Sequence, residues 1–237
     1  MNTKKLLAVL VSVAMCGAAF AGCGNNADSS KAESKAESSS SQVEKMPETD
    51  EEWTQAMYDK AMVSYGNTSM MQNVIKKAQS GEKVTVAYLG GSITEGISAG
   101  ADGCYAKLTY DYFAQKFGTG DNVQYVNAGL SGTPSKLGIL RLDRDVLAYE
   151  PDICFIEFAV NDGTETDYQN AYESIVRTLL QKNITPVLLF SVTENDHSAQ
   201  DYMKQIGEFY HLLRNNPSEN RILHERCKYP ALERFFR

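Results

Sequence analysis

The stretch VTVAYLGGSITEG, residues 84–96, decides the fold of this chain. Its six β-forming residues, 84–89, end directly in Gly90 and Gly91, which is typical of a buried parallel strand that opens into a tight turn. Such a turn presents Ser92 at the carboxyl end of a sheet, where open α/β folds bind their ligands. The two glycines lack the Cβ atoms that would block a substrate, and they leave backbone N–H groups free to face a developing negative charge. The stretch alone is compatible with a nucleophilic serine and with an ordinary glycine-rich turn.

Strand-like and helix-like segments alternate on both sides of this turn. The pattern predicts strands at 84–89, 123–126, 153–160 and 186–192, and helices at 52–77, 105–117, 135–149, 168–182 and 199–212. Such alternation with short connections predicts a mostly parallel sheet with helices on both faces. Ser92, Gly129 and Asn161 follow three successive strands, so they are expected at one edge of the sheet. A hydroxyl, a backbone N–H and a side-chain amide there would make a nucleophile with two oxyanion donors.

Two other motifs overlap the same turn. Residues 96–100 match the Gly-x-Ser-x-Gly elbow of α/β-hydrolases, but that elbow needs its serine directly after a strand, and Ser98 comes nine residues after Leu89. Gly91 and Gly96 have the glycine spacing of a phosphate-binding loop, but Ile97 stands where a lysine would reach the phosphates. Both interpretations are therefore disfavoured.

The first 52 residues have the composition of an export signal followed by a tether. Lys4 and Lys5 precede an apolar stretch and then small residues before Cys23, which predicts a secretory signal at residues 1–22. The small residues before Cys23 resemble a bacterial lipobox, so we expect lipid on the Cys23 thiol and a location outside the cell on the membrane. Ordinary signal-peptide cleavage is the alternative. Residues 23–52 are rich in Ser, Glu, Lys and Ala, and we expect a flexible tether.

The remaining chain is long enough for one domain with a core. A formal net charge of −7 without a basic patch argues against nucleic acid as a partner. Cys104, Cys154 and Cys227 remain after the signal and Cys23, an odd number without metal-ligand spacing. The sequence therefore predicts neither a metal nor another cofactor, and it places Cys154 in the core because its strand is apolar.

From about Tyr65 to Leu212 the chain resembles the SGNH, or GDSL-type, hydrolases, particularly the branch whose first block reads Gly-Gly-Ser-Ile-Thr. The residues that carry the resemblance are 90–96, Asn127-Ala128-Gly129, Pro151-Asp152 and 157–162. The resemblance implies a three-layer α/β/α, flavodoxin-like fold with a parallel sheet and a nucleophilic Ser92. It also implies an oxyanion hole made by the Ser92 N–H, the Gly129 N–H and the Asn161 amide. Ala159 stands where most of the family has glycine, which is a small departure.

Glu157 is a carboxylate inside a strand that otherwise reads as buried. The interpretation that we favour is a structural carboxylate paired with Arg141 or Arg144. The alternative is a group that orients the site, since alternation places Glu157 on the same face as Asn161.

The family's last block, Asp-x-x-His, supplies the base and the carboxylate that holds it, and serine is a poor nucleophile without such a base. None of the three histidines follows an aspartate at this spacing, because Glu194, Glu208 and Arg221 occupy those positions. His197 follows the fourth predicted strand at the correct edge, whereas His211 ends a helix near the opposite edge. His224 comes late enough in the chain, but Arg221 cannot hold an imidazole as an anion would. His197 and His224 are the candidate bases.

Residues 213–237 look unlike the domain at 53–212, since they carry a net charge of +3 and the rest of the chain carries −10. No strand-like run follows Leu212, so we expect the sheet to lack its C-terminal strand and the closing helix. The flank of the fourth strand, at Leu188, Leu189 and Phe190, would then be exposed. Our hypothesis is a truncation or frameshift near Leu212 that removed the histidine block, with a divergent tail as the alternative.

Together these features predict an exported serine ester hydrolase of the SGNH type. By resemblance it deacylates carbohydrates or small esters, and its partners are that substrate and, through its lipid anchor, the membrane. The alternatives are a non-catalytic surface lipoprotein that binds glycans and an inactive truncated fragment.

Overall fold

One six-stranded sheet forms the centre of the computed structural model, which describes residues 49, 55–56 and 61–215. The strands are β1 (Met62–Ser64), β2 (Val84–Gly90), β3 (Val123–Gly129), β4 (Ile153–Glu157), β5 (Thr185–Leu189) and β6 (Leu213–Asn215). Their order across the sheet is β1-β6-β5-β4-β2-β3. Strands β2 to β6 pair in parallel, and β1 pairs antiparallel to β6 at one edge.

Helices cover both faces of this sheet. They are α1 (Ser69–Gln79), α2 (Ser92–Glu95), α3 (Tyr105–Phe117), α4 (Ser135–Asp145), α5 (Thr166–Gln181) and α6 (Gln200–Phe209), with a 3-10 turn at Leu147–Tyr149. Alternate side chains of β2 enter two separate hydrophobic clusters, because successive residues of a strand point to opposite faces. Val86 and Tyr88 pack with α1 and α3, whereas Ala87 and Leu89 pack with α4, α5 and α6. The predicted three-layer α/β/α architecture is therefore confirmed.

Two predicted elements differ from the structure. The single helix predicted at 52–77 is wrong, since β1 and residues 65–68 separate α1 from the residues before it. The strand predicted at 153–160 ends at Glu157. It ends there because the N–H groups of Asn161 and Asp162 both donate to the carbonyl of Phe158, which closes a helical turn. The alternation that placed Glu157 and Asn161 on one face therefore does not reach Asn161.

The expectation that the sheet lacks its C-terminal strand is also wrong, because β6 pairs in parallel with β5 from Val187 to Leu189. The predicted exposed flank of the fourth strand is accordingly buried: Leu188, Leu189 and Phe190 are at most 6% exposed. The sequence did not predict β6 because the strand has only three residues, one of them arginine and one asparagine. Its pairing with β5 and β1, on both sides, holds it in the sheet.

Several predictions concern residues outside the described part of the chain. They are the signal at 1–22, most of the tether at 23–52, the tail from residue 216 onward with its closing helix, and the residues Cys23, Cys227 and His224. Within the described residues no helix is long and apolar enough to cross a membrane.

Candidate active site

Ser92 lies at the carboxyl edge of the sheet, directly after the central strand β2. It is the first residue of α2, a helix of one turn, and it is half-buried. Its own N–H is at the start of a helix, where backbone donors have no partner within the helix. Gly96 ends the turn at a positive φ of 91°, a conformation that suits glycine. We refer to residues 90–96 as the nucleophile turn.

The two glycines before Ser92 are required by contacts within the protein. A Cβ on Gly90 would overlap the Thr94 hydroxyl and the carbonyl of Glu157, and a Cβ on Gly91 would overlap the amide oxygen of Asn161. The sequence interpretation was that these glycines keep space open for a substrate. The structure adds that they let β4 and the Asn161 side chain approach the nucleophile turn closely.

Asn161 therefore meets the nucleophile turn directly, although it is 69 positions after Ser92 in the sequence. Its Oδ1 is buried and has no hydrogen-bond partner in the described part of the structure. Because the side chain as a whole is half-buried, the amide NH₂ group is the end that can reach a ligand. An NH₂ donor in this position can stabilise an oxyanion that forms beside Ser92.

Gly129 ends β3 beside the nucleophile turn, but its N–H is not free. It donates to Oδ1 of Asn127 at 2.8 Å, and the Asn127 amide donates in turn to the carbonyl of Thr94 at 2.8 Å. A Cβ on Gly129 would overlap the backbone of Glu95 in α2. Gly129 thus permits close packing of β3 against α2, and its predicted role as an oxyanion donor requires the bond to Asn127 to break.

The following residues of the same loop differ in whether their backbone N–H groups are bonded. The Leu130 N–H donates to the Gly90 carbonyl at 3.0 Å, and the Ser131 N–H donates to Oε2 of Glu95 at 2.6 Å. The Gly132 N–H has no such bond within the described residues, and Gly132 has a positive φ of 69°. Gly132 thus carries an unbonded N–H in an exposed turn, which the sequence analysis did not single out.

Arg141 clamps the ends of the two strands that carry Ser92 and Gly129. It is 6% exposed, and its guanidinium donates to the carbonyls of Ala128 at 2.6 Å and Gly90 at 3.1 Å. Its carboxylate partner is Asp145 at 3.2 Å, and Arg144 pairs with the same carboxylate. The predicted pairing of Glu157 with Arg141 or Arg144 is therefore wrong.

Glu157 is fully buried at the end of β4, directly beneath the nucleophile turn. Its carboxylate accepts hydrogen bonds from the hydroxyls of Thr94, at 3.3 Å, and Ser191. Burial raises the pKa of Glu157 above its usual value, while the bonds from Ser191 and Thr94 and the nearby Gly91 N–H oppose that rise. Since Thr94 and Gly91 belong to the nucleophile turn, these contacts agree with the alternative interpretation that Glu157 orients the site.

Neither of the described histidines is hydrogen-bonded to the Ser92 side chain. His197 is exposed on the loop after β5, in a turn closed by two 3.0 Å hydrogen bonds between Thr193 and His197. That loop is at the same edge of the sheet as Ser92, but no hydrogen bond joins the two side chains among the described residues. His211 precedes β6 and is at the opposite edge, as predicted. Because β6 runs parallel to β5, the chain leaves Asn215 at the edge that carries Ser92.

The rival serine and the cysteines do not join this site. Ser98 lies in an exposed turn after α2, away from a strand end. Cys104 and Cys154 are buried free thiols, and Cys154 is in the core as predicted. Within the described residues no cluster of three or more His, Cys, Asp or Glu side chains could hold a metal ion.

A groove of about 240 Å³ lies beside the end of β3 and the loop that follows it. Gly129 and Leu130 form the end nearest to Ser92, and Arg144, Asp145 and the half-exposed ring of Tyr149 line its other side. A larger depression of about 390 Å³, between α3 and the beginning of β3, is at the opposite edge of the sheet. The smaller groove reaches the carboxyl end of β3, but none of residues 90–96 lines it.

Comparison with known proteins gives one family and a set of similar structures. The model of the GDSL-like lipase/acylhydrolase family matches residues 88–219. No curated protein matches the chain. A two-domain esterase (CEX) active on acetylated mannans superposes with a TM-score of 0.66 at 27% identity, over 76% of this chain and 56% of that chain. The same esterase co-crystallised with mannopentaose superposes with a TM-score of 0.66 at 28% identity, over 76% and 55%.

An acetyl xylan esterase, AlAXEase, shares the fold with a TM-score of 0.50 at 19% identity, over 65% of this chain and 95% of that chain. By contrast, the match to the two-domain esterase spans little more than half of that esterase's length, 56%.

Proposed function

The chain belongs to the GDSL-like lipase/acylhydrolase family, and we propose that it is a serine ester hydrolase that removes acyl groups from carbohydrates. The observation that carries this proposal is the contact between the nucleophile turn and Asn161, which brings a hydroxyl and an amide donor together at one strand edge. A serine hydroxyl can attack an ester, and an amide can donate a hydrogen bond to the oxyanion, without a cofactor.

The chemistry follows from these positions. The Ser92 Oγ attacks the acyl carbon while a base takes its proton, and the negative charge moves to the former carbonyl oxygen. The Asn161 NH₂, with the N–H of Ser92 and of Gly129 or Gly132, stabilises that charge, which is the term that contributes most in such sites. The alcohol then leaves with a proton, and water releases the acyl group from Ser92 in a second, equivalent step.

An acylated carbohydrate is the substrate class that we propose. The two-domain esterase of similar structure is active on acetylated mannans. The groove beside Leu130 adds a physical reason, since the ring of Tyr149 can pack on a sugar face and the Arg144–Asp145 pair can bond hydroxyl groups.

The structure shows no hydrogen bond from Ser92 to a proton acceptor within the described residues. His197 is on the correct edge, and His224 lies in the segment that follows β6. They are the candidate bases, but His197 has no hydrogen bond to Ser92 in the described part of the chain, and Arg221 stands where a carboxylate would orient His224. We therefore propose that neither acts as an efficient base and that the activity of the chain is low.

Comparing the chain with its Ser92→Ala variant tests the enzyme proposal. We expect hydrolysis of p-nitrophenyl acetate and release of acetate from acetylated mannan to depend on Ser92. Equal rates for both proteins would reject a serine hydrolase. Asn127→Ala tests the Gly129 donor, because it removes the side chain that occupies the Gly129 N–H, and an unchanged kcat would count against Gly129.

A glycan-binding protein without catalysis is the second candidate, since no described histidine is bonded to Ser92. It predicts that mannopentaose binds, by calorimetry, to the chain and to Ser92→Ala alike while neither releases acetate.

The proposed location is outside the cell, with the domain held on the membrane by lipid on Cys23. Metabolic labelling with palmitate and membrane fractionation test this, and Cys23→Ser should lose the label and move to the soluble fraction. A labelled Cys23→Ser variant would contradict lipidation at that residue.

A further inference from the structure

We propose that Glu157 is a positioning residue that holds the nucleophile turn in its reactive geometry. The inference rests on the proposed function, in which Ser92 is the nucleophile. No hydrogen bond joins Glu157 to the Ser92 hydroxyl within the described residues, so its effect would be exerted through the residues on either side of Ser92.

Glu157 contacts the nucleophile turn on both sides of Ser92. It pairs with Gly90 in the register of β2 and β4, and its carbonyl packs where only a glycine at position 90 leaves room. Its carboxylate accepts from the hydroxyl of Thr94, two residues after Ser92, and interacts with the N–H of Gly91, one residue before it. The backbone on each side of Ser92 is therefore tied to the same side chain.

The carboxylate also joins the turn to two other elements. Ser191, on the loop after β5, donates to its second oxygen. Thr94 is in turn 2.9 Å from the hydroxyl of Tyr105, at the start of α3. If Thr94 donates to Glu157, Tyr105 must donate to Thr94, so every hydroxyl of this network points toward the carboxylate. An ionised carboxylate accepts only, and it is the group that suits such an arrangement.

A purely structural need for this charge is not evident. Glu157 forms no ion pair within the described part of the chain, and it is fully buried. Burying a charge with only neutral partners is costly, and an apolar residue of similar volume commonly serves stability as well or better. Retaining a carboxylate here is explained if its bonds fix the position of the Ser92 hydroxyl, because a displacement of about 1 Å can cost about a hundredfold in rate.

Asp162 provides a matched comparison five positions later in the chain. It is buried to a similar degree, and its oxygens accept from the Ser135 N–H at 2.7 Å and the Tyr202 hydroxyl at 2.8 Å. These bonds join α4 to α6 and do not involve the nucleophile turn. Tyr202→Phe therefore removes one donor from a buried carboxylate, as Thr94→Val does at Glu157, without touching the turn.

The experiment compares Glu157→Gln, Thr94→Val and Tyr202→Phe with the wild-type chain. Each protein is assayed for kcat and KM on p-nitrophenyl acetate, for its denaturation midpoint, and for hydrogen exchange of residues 90–96 by mass spectrometry. We expect Glu157→Gln and Thr94→Val to lower kcat by about tenfold to a hundredfold with little change in KM. Exchange in the turn should become faster in both. Tyr202→Phe should shift the midpoint comparably and change neither kcat nor exchange in the turn.

Wild-type kcat and unchanged exchange in Glu157→Gln and Thr94→Val would overturn the proposal, as would an equal loss of kcat in Tyr202→Phe. If Glu157→Gln fails to fold, Ser191→Ala replaces it, with the same expectations. The exchange measurement does not depend on catalysis. Equal activity of wild type and Ser92→Ala would thus reject the hydrolase proposal while leaving the effect of Glu157 on the turn measurable.

Discussion

The two halves of the sheet's carboxyl edge differ in how many contacts hold their candidate site residues in place. On the half formed by β2, β3 and β4, the nucleophile turn is fixed from several sides by Arg141, Asn127, Glu157 and Asn161. On the half formed by β5 and β6, the described histidine of that edge, His197, is exposed and bonded only within its own turn through its backbone.

The difference shows what short sequence blocks can assemble. A nucleophile and its oxyanion donors each come directly after a strand, so pairing of the strands brings them together. A general base must be held at hydrogen-bond distance by a segment that crosses from another part of the chain. The first half of the site therefore forms from residues 84–162, and the second half depends on segments after β5.

The largest expected effect concerns the well-built half. Asn161→Ala should lower kcat by about a hundred- to a thousandfold, because its NH₂ is a donor to a charge that develops in the transition state. KM should change little, since the substrate carries little of that charge. Steady-state kinetics on p-nitrophenyl acetate measure both values. A variant in which KM alone rises would show that Asn161 binds substrate.

A second substitution tests whether Asn161 acts through its contact with the nucleophile turn. Gly91→Ala places a Cβ where the Asn161 oxygen lies, so the amide must move. We expect kcat to fall by about tenfold to a hundredfold. The double variant should lose little more than Asn161→Ala alone, because both changes remove one interaction. Fully additive losses would mean that Gly91→Ala acts elsewhere.

These contacts also show how far the sequence could lead. The strand ends at Ser92, Gly129 and Asn161 were predictable, since an apolar run followed by glycine or Asn-Asp signals a strand and its turn. The engagement of the Gly129 N–H was not, because it depends on the Asn127 side chain folding back onto the residue two positions later, as Asx turns do.

The partners of Glu157 were beyond local reasoning as well. Charge pairing alone suggested arginine, whereas the strand order places Glu157 next to Gly90 and leaves Arg141 to Asp145. The short strand β6 was not predicted for a similar reason, since its stability comes from the strands on both sides and not from its own residues.

A moderate effect is expected in the pH dependence of the free energy of unfolding, through two buried carboxyl groups on the well-built half, Glu157 and Asp162. Burial raises the pKa of Glu157 and of Asp162, so the folded state holds these protons to higher pH than the unfolded state does. Their stabilising contribution is therefore complete below the usual carboxyl pKa and is lost as pH rises to the raised values. One such group contributes a slope of at most about 1.4 kcal/mol per pH unit.

Glu157→Gln should flatten this slope across that window, as measured by urea denaturation at several pH values. Asp162 faces Glu157 and remains in the variant, so part of the slope should persist. An unchanged slope would show that Glu157 holds its proton equally in both states.

The smallest expected effect is at the exposed half of the edge. Removal of a true catalytic histidine costs about a million-fold in kcat. We expect His197→Ala to change kcat by less than about twofold, because its side chain makes no bond to Ser92 and its turn is held by backbone contacts that alanine retains. We expect the same of His224→Ala, since Arg221 occupies the position of the carboxylate that would orient an imidazole.

The wild-type chain, His197→Ala and His224→Ala should then all have low activity. Added imidazole should raise that activity only in proteins that retain Ser92. A loss of several orders of magnitude in either variant would instead identify that histidine as the base.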